Sequence, residues 1–432
     1  MPELSISKRK IGPLLATALV AGNMIGSGVF LLPASLATIG SSTVIGWFIA
    51  LAGALLIAGV FAVLAARRPD PDGLVQWPAQ GVHPAAGFVS WAAYWATTWT
   101  GNVAITLAAV GYLGLLFPAI KSPMVTLLTT LALIWTVTLL CLFGARWVTR
   151  ISALTLIIGL LPIGAAIALG FAAFSPVIFA ASWNVSGHAL MDTVPASLLI
   201  IFWAFLGLES ASVAAAVVEN PQRNVPIAVL SGVTLAGVVY IAASVAVMGV
   251  IPAAQLQNST APFADVVAKL AGGSAGVFVA ICAILKVCGT LAGWLLVAGE
   301  CGRSGAAAGY LPRWISESNP ELLPRRGLLV LGVLMSLVAL ATVSPTLNTQ
   351  FNLILNIAVV LVMAVYVLCA LNLLMDRQQR ARSRLLALAA ISFCVWVVAA
   401  SDFDYTWPAL LFLGLCVPVG WLLNARRPTR RR

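Results

Sequence analysis

The sequence predicts an all-α polytopic membrane protein of about 12 transmembrane helices. It is expected to form two five-helix halves of opposite orientation plus two further helices, with spans one and six unwound at mid-membrane. Three observations predict this. The 432-residue chain is 61% hydrophobic and only 9% charged, with a mean hydropathy of +1.03, whereas soluble domains carry roughly 25% charged residues. Its apolar residues fall into twelve runs of the length that crosses a bilayer as a helix, about 20 residues. Glycine-rich interruptions lie inside the first and the sixth of those runs, at matching places of the two halves.

The runs lie near 11–37, 44–66, 85–116, 123–144, 151–174, 194–217, 227–251, 273–299, 327–345, 351–375, 385–401 and 407–424. The longest polar stretches, near 67–84, 175–193, 252–272 and 301–326, are connecting loops punctuated by proline, glycine and asparagine. The expected organisation is therefore a cytoplasmic N-terminus (1–10), a first five-helix repeat (11–174), an inverted second repeat (194–375), helices 11 and 12 (385–424) and a basic tail (425–432). The first apolar segment is too long for a cleavable signal peptide and lacks a small-residue cleavage pattern, so it is expected to be retained.

A net charge of +11 and a pI near 9.7 would suit a nucleic-acid partner, but the placement of the charge excludes one. With the N-terminus inside, 21 of the 24 Lys and Arg residues fall on the cytoplasmic side, including Lys8, Arg9, Lys10, Arg67, Arg68, Arg303, Arg377 and five arginines between Arg426 and Arg432. Only Lys121 and Lys269 fall in outer loops. The positive-inside rule then puts both termini in the cytoplasm, with the terminal arginines against anionic lipid. Seven cysteines lie mostly within apolar runs, and the two histidines, His83 and His188, lie in loops. This composition supports no disulfide framework, no metal site, no cofactor and no nucleophile–base constellation of an enzyme.

The first interruption is Gly22-Asn23-Met24-Ile25-Gly26-Ser27-Gly28. Each glycine weakens a helix by about 1 kcal/mol relative to alanine. Freed peptide groups find no water in hydrocarbon, so such a break lines a cavity. Its N–H groups, at the positive end of the following half-helix, suit an anion such as a substrate carboxylate. The second interruption, Trp203 to Ser212, contains Gly207 and Glu209. A central charge costs about 2.5 to 3.5 kcal/mol to insert, which makes Glu209 a functional candidate facing a wet cavity or a partner. The alternative is a protonated glutamate bonding neighbouring helices.

Lys286 lies some 13 residues into span eight, roughly 20 Å along the helix and too deep to snorkel. It either pairs with a carboxylate such as Glu209, the favoured reading, or approaches the substrate. Trp203 and Trp294 fall at mid-span depth, where an indole face attracts an ammonium or guanidinium. Asn102 and Thr98 supply polar atoms one turn apart on span three, either to a ligand or between helices.

At these residues the sequence resembles a known family. GNMIGSGVFLLP (22–33), FWAFLGLESASVAA (202–215), VVENPQRNVPIAVLSG (217–232), STAPFADV (259–266), GTLAGW (289–294) and SPTLNTQFN (344–352) are similar to the bacterial basic amino acid/polyamine antiporters of the amino acid-polyamine-organocation (APC) superfamily. That branch holds the arginine/agmatine, putrescine/ornithine and cadaverine/lysine exchangers. The resemblance implies the LeuT-like inverted-repeat fold, small-molecule amino acid and amine substrates, no sodium dependence, and allows a homodimer. It assigns Asn23, Ser27 and Gly28 to the substrate carboxylate and α-amino group, and Trp203 to stacking on the cationic side chain. Thr98, Asn102, Ile105, Leu206 and Ala358 would line the pocket. Glu209 would couple and gate, Trp294 would form an inner gate, and Tyr94 and Tyr366 would close that gate by hydrogen bonds to Glu209.

Ala358, Thr97 and Thr98 depart from the arginine/agmatine pattern, and Leu74-Val75-Gln76-Trp77 replaces a tyrosine-bearing loop linked with acid sensing. The implied function is exchange of a basic amino acid for its decarboxylated amine or a polyamine. The same fold with Glu209 or Lys286 as the protonated group would be a proton-coupled symporter or exporter, including one for neutral amino acids.

Overall fold

The computed structural model describes residues 12–26, 28–68, 72–209, 218–315 and 324–425. Ser27, the N-terminal Lys8, Arg9 and Lys10, residues 210–217 of span six and the arginines from Arg426 onward lie outside the described residues. The elements are helices. Proline in the first turn starts α1 (Pro13–Met24), α5 (Pro84–Leu116), α6 (Pro123–Cys141) and α10 (Pro221–Met248), positions where its missing N–H would have no helical partner anyway. The remaining long helices are α3 (Thr43–Arg67), α7 (Ala145–Ala172), α13 (Gly273–Ala307), α14 (Arg325–Ala341), α15 (Leu347–Met375), α16 (Ala381–Ala399) and α17 (Phe403–Ala425).

Nine of the described helices are long and apolar enough to cross a membrane. Their outward faces carry large apolar side chains, such as Leu128, Ile157, Phe278 and Leu415, all more than half exposed. Such a surface is stable only against lipid. The helix α5, buried along most of its 33 residues, forms the axis, with α13 and α15 packed on it; α3 and α1 pack on α10, and α7 on α13.

Both interruptions are present. At the end of α1, the Ile25 N–H still reaches Ala21 O (2.7 Å), but the next bond runs from Gly26 N–H to Met24 O (2.6 Å) with Ile25 at φ −70°, ψ 65°. This is an inverse γ-turn, and it ends the helix. The chain resumes in a 3₁₀ turn, Gly28–Phe30, and the short α2 (Leu32–Ala37). The sixth span stops as a helix at Phe202, where α9 (Leu190–Phe202) gives way to a 3₁₀ turn, Trp203–Phe205. Gly207 follows at φ +102°, left-handed backbone that glycine alone adopts readily.

The loops are more structured than the sequence suggests. They hold α4 (Gly73–Gly81), α8 (Pro176–Ala181), α11 (Ala253–Leu256) and α12 (Pro262–Ala271). The helix α12 buries Phe263, Val266 and Val267, and Phe263 meets Phe30 edge-on at 5.6 Å, so tertiary burial of one face stabilises a segment too short to be helical alone. Arg67 at the end of α3 meets Asp376 after α15 (3.8 Å), and Ser304 of α13 donates to Asp72 Oδ1 (3.0 Å). The ends of α3, α13 and α15 thus share the arginine-rich face.

Candidate functional site

Eight of the residues singled out from the sequence line one cavity where the two interruptions meet: Asn23, Gly28, Thr98, Asn102, Ile105, Trp203, Leu206 and Trp294. Met24, Gly26, Thr97, Gly101 and Thr290 complete the wall. Gly26 belonged to the recognised break and Thr290 to the GTLAGW run; only the facing of each helix, which the sequence does not display, adds them. The centres of water molecules can occupy about 30 Å³ of the cavity, room for one or two waters.

Trp203 contributes an indole to the cavity's wall. Its indole lies in a slot between two glycines: a Cβ at Gly28 would come within 2.8 Å of Nε1, and one at Gly101 within 3.1 Å of the far edge of the ring. Any larger residue at Gly28 would displace the indole. Phe351 of α15 meets Trp203 edge-on at 6.5 Å.

The polar atoms of this wall are unbalanced. Asn102 is 1% exposed, and among the described residues neither its Nδ2 nor its Oδ1 has a hydrogen-bond partner; the Trp203 Nε1–H is likewise buried without an acceptor among them. By contrast, Thr98 donates to Trp95 O (2.6 Å) and Thr97 to Ala93 O (2.9 Å). A buried amide left unpaired costs about 1 to 3 kcal/mol. The amide and indole N–H groups together can donate to a carboxylate oxygen, and the amide oxygen and the ring face can hold an ammonium.

Glu209 is 1% exposed and turned away from the cavity. Its Oε1 accepts from Tyr94 Oη (3.1 Å); its Oε2 accepts from Tyr366 Oη (2.7 Å) and from the Gly207 N–H (3.1 Å). Three donors from α5, α15 and the span-six turn therefore converge on one carboxyl group, which ties the three elements together. Tyr94 precedes Asn102 by two turns of α5, about 12 Å. That displacement puts the carboxyl between the cavity and the arginine-rich face.

Two expectations are corrected. Lys286 does not pair with Glu209. It sits one turn from Thr290 on the opposite side of the cavity, and its ammonium has no ion pair or hydrogen bond among the described residues. Ala358 does not line the cavity. It is fully buried behind the wall, where its carbonyl accepts from Thr97 Oγ1 (3.3 Å), because its α15 face turns toward α5 instead of the opening. Glu300 pairs with Arg303 near the end of α13, away from the cavity.

Comparison with known proteins agrees with this architecture. A model of the amino acid permease family matches residues 11–421. The chain is 33% identical over 411 residues to the cadaverine/lysine antiporter of Escherichia coli (strain K12), covering 92% of this chain and 91% of that protein. It is 34% identical over 359 residues to the putrescine transporter PotE of the same strain, covering 83% of this chain and 82% of the relative. PotE of Haemophilus influenzae is 31% identical over 427 residues, 97% of each chain. With the broken spans, the cavity between them and these relatives together, the chain belongs to the amino acid permease family, among the basic amino acid/polyamine antiporters.

Proposed function

We propose that this protein is an inner-membrane antiporter that exchanges a basic amino acid for its decarboxylated amine or a polyamine, by alternating access to the cavity between spans one and six. The pairs compatible with this reading are lysine/cadaverine, ornithine/putrescine and arginine/agmatine. The observation that carries it is the cavity's set of unpartnered buried atoms, both ends of the Asn102 amide and the Trp203 indole N–H, at the junction of the two breaks. The full arrangement is twelve spans with residues 11–174 and 194–375 as inverted repeats, helices 11 and 12 appended, and both termini cytoplasmic.

In this reading Asn23, Ser27 and Gly28 hold the α-carboxylate and α-amino group, and the indole of Trp203 stacks on the cationic end. Thr98, Asn102, Ile105 and Leu206 shape the pocket and Trp294 closes it from α13. The Tyr94–Glu209–Tyr366 cluster is the gate toward the arginine-rich, cytoplasmic face. Exchange follows if the empty carrier reorients slowly. Opening the gate separates a buried carboxylate from its donors, a cost that only bound cargo offsets.

Proteoliposomes containing the protein and loaded with unlabelled cadaverine, putrescine or agmatine should take up labelled lysine, ornithine or arginine, for at least one of these pairs, far faster than empty vesicles. Equal uptake by loaded and empty vesicles would overturn obligatory exchange. Uptake that requires an imposed pH gradient would replace it with proton coupling.

A further inference from the structure

Lys286 is a buried cation that the gate and the cavity wall leave unused. It is 4% exposed, in the middle of α13. Its stem lies in a notch at Gly159 of α7, where a Cβ would come within 2.2 Å of its Cγ and 2.5 Å of its Cδ. The notch holds the side chain inside the helix bundle instead of letting it reach toward lipid headgroups. Its backbone carbonyl accepts from Thr290 Oγ1 (3.0 Å), and Thr290 lines the cavity with its methyl against Gly26 of the first break.

Among the described residues no acid pairs with this charge. Of the 13 Asp and Glu residues, Glu209 alone lies within an apolar span, and it is committed to Tyr94, Tyr366 and Gly207 on the far side of the cavity. Residues 210–217 contain no ionisable side chain. The neighbouring turns of α7 contribute only the neutral Ser152, whose hydroxyl donates to Gly289 O (2.8 Å), and Thr155. A lysine at mid-membrane depth is costly to insert and is ordinarily paired.

We propose that Lys286 selects cargo by net charge: its ammonium, unpaired among the described residues and carried one helical turn from Thr290 of the cavity wall, weakens binding of a dicationic amine relative to a singly charged amino acid. The proposal rests on the cavity being the cargo site. Between unit charges about 10 Å apart at an effective dielectric constant of about 20, the extra repulsion amounts to roughly tenfold in affinity for each added positive charge on the cargo. The selection is graded: a zwitterion of zero net charge is unaffected, lysine is weakened moderately and cadaverine most.

Calorimetric titration of the purified full-length protein with lysine and with cadaverine tests this, in wild type and in Lys286→Met and Lys286→Gln, two neutral replacements checked for folding by their melting curves. The expected result is a roughly tenfold fall in the ratio of the cadaverine Kd to the lysine Kd in a folded neutral variant, with Lys286→Arg keeping the wild-type ratio. An unchanged ratio in a neutral variant that melts normally would return Lys286 to a structural role while leaving the exchanger reading intact. Wild-type protein that binds no basic amino acid or amine would sink the exchanger reading and this inference with it.

Discussion

Two buried polar clusters lie two turns apart along α5, and they are balanced in opposite ways. Around Tyr94, the Glu209 carboxyl group receives three donors from three separate elements. Around Asn102, the amide nitrogen, the amide oxygen and the neighbouring Trp203 N–H have no partner among the described residues. Both clusters are closed to bulk water, so each missing partner costs about 1 to 3 kcal/mol. A fold that satisfies one cluster completely and leaves the other open is built to hold at the first and to receive at the second. In the proposed exchanger the satisfied cluster is the latch and the open one the receptor.

The comparison breaks most severely at Glu209. Replacing it by alanine strands the two tyrosine hydroxyls and the Gly207 N–H, so Glu209→Ala should abolish exchange and lower the melting temperature by several degrees, while the isosteric Glu209→Gln should keep the fold and slow exchange about 100-fold. Melting curves and counterflow rates on both variants check this; Glu209→Gln exchanging at the wild-type rate would remove the latch. At the receptor, Trp203→Leu should weaken amine binding about 30-fold, the equivalent of a desolvated cation–π contact near 2 kcal/mol, as read by titration. A change confined to melting temperature would make the indole a packing residue.

Asn102→Ala sharpens the comparison by its sign. Removing an unpartnered amide should leave the ligand-free protein as stable as wild type or more so, yet weaken cargo binding about tenfold. Thermal unfolding with and without saturating cargo separates the two effects. Loss of stability without ligand would mean that the amide already has a partner.

The smallest effect concerns Asp376, an acid satisfied by its own turn at the membrane surface. The Gln378 N–H (2.9 Å), the Gln379 amide (3.0 Å) and Arg67 hold its carboxyl below the usual carboxylate value. A depressed value means the charged form stabilises the fold. That contribution is complete above the ordinary carboxylate range, near pH 4, and is lost as pH falls through the lower folded value. Asp376→Asn should therefore melt slightly below wild type at pH 7, and the gap should close on acidification. Because the group is solvent-exposed, the difference will be small.

Much of the fold was legible because lipid imposes simple rules. Span positions follow from hydropathy, although α10 begins at Pro221, ahead of the apolar run expected from about residue 227, because proline suits a first helical turn. The breaks follow from glycine where no water can satisfy the backbone. The acid in the second break was legible for the same reason, since an ionisable group at that depth must have partners. What stayed hidden depends on the direction in which each helix faces. Ala358 and Thr97 are neighbours across α15 and α5, yet only Thr97 meets the opening. Lys286 and Glu209 are the two charges within spans, and opposite charges at similar depth invite pairing, but the cavity lies between them. The orphaned atoms of Asn102 and Trp203 could not be read either, because satisfaction is a property of the packed site and not of a residue type.

The most direct test of the account is a titration of the doubly substituted protein, Asn102→Ala with Trp203→Leu, using whichever amino acid or amine wild type binds most tightly. Asn102→Ala removes atoms without a partner among the described residues, Trp203→Leu removes an indole packed between Gly28, Gly101 and Phe351, and Glu209 keeps its three donors. The expected result is loss of measurable binding in a protein that still unfolds cooperatively, at a melting temperature lowered by the lost indole packing. Binding within about threefold of wild type would contradict it.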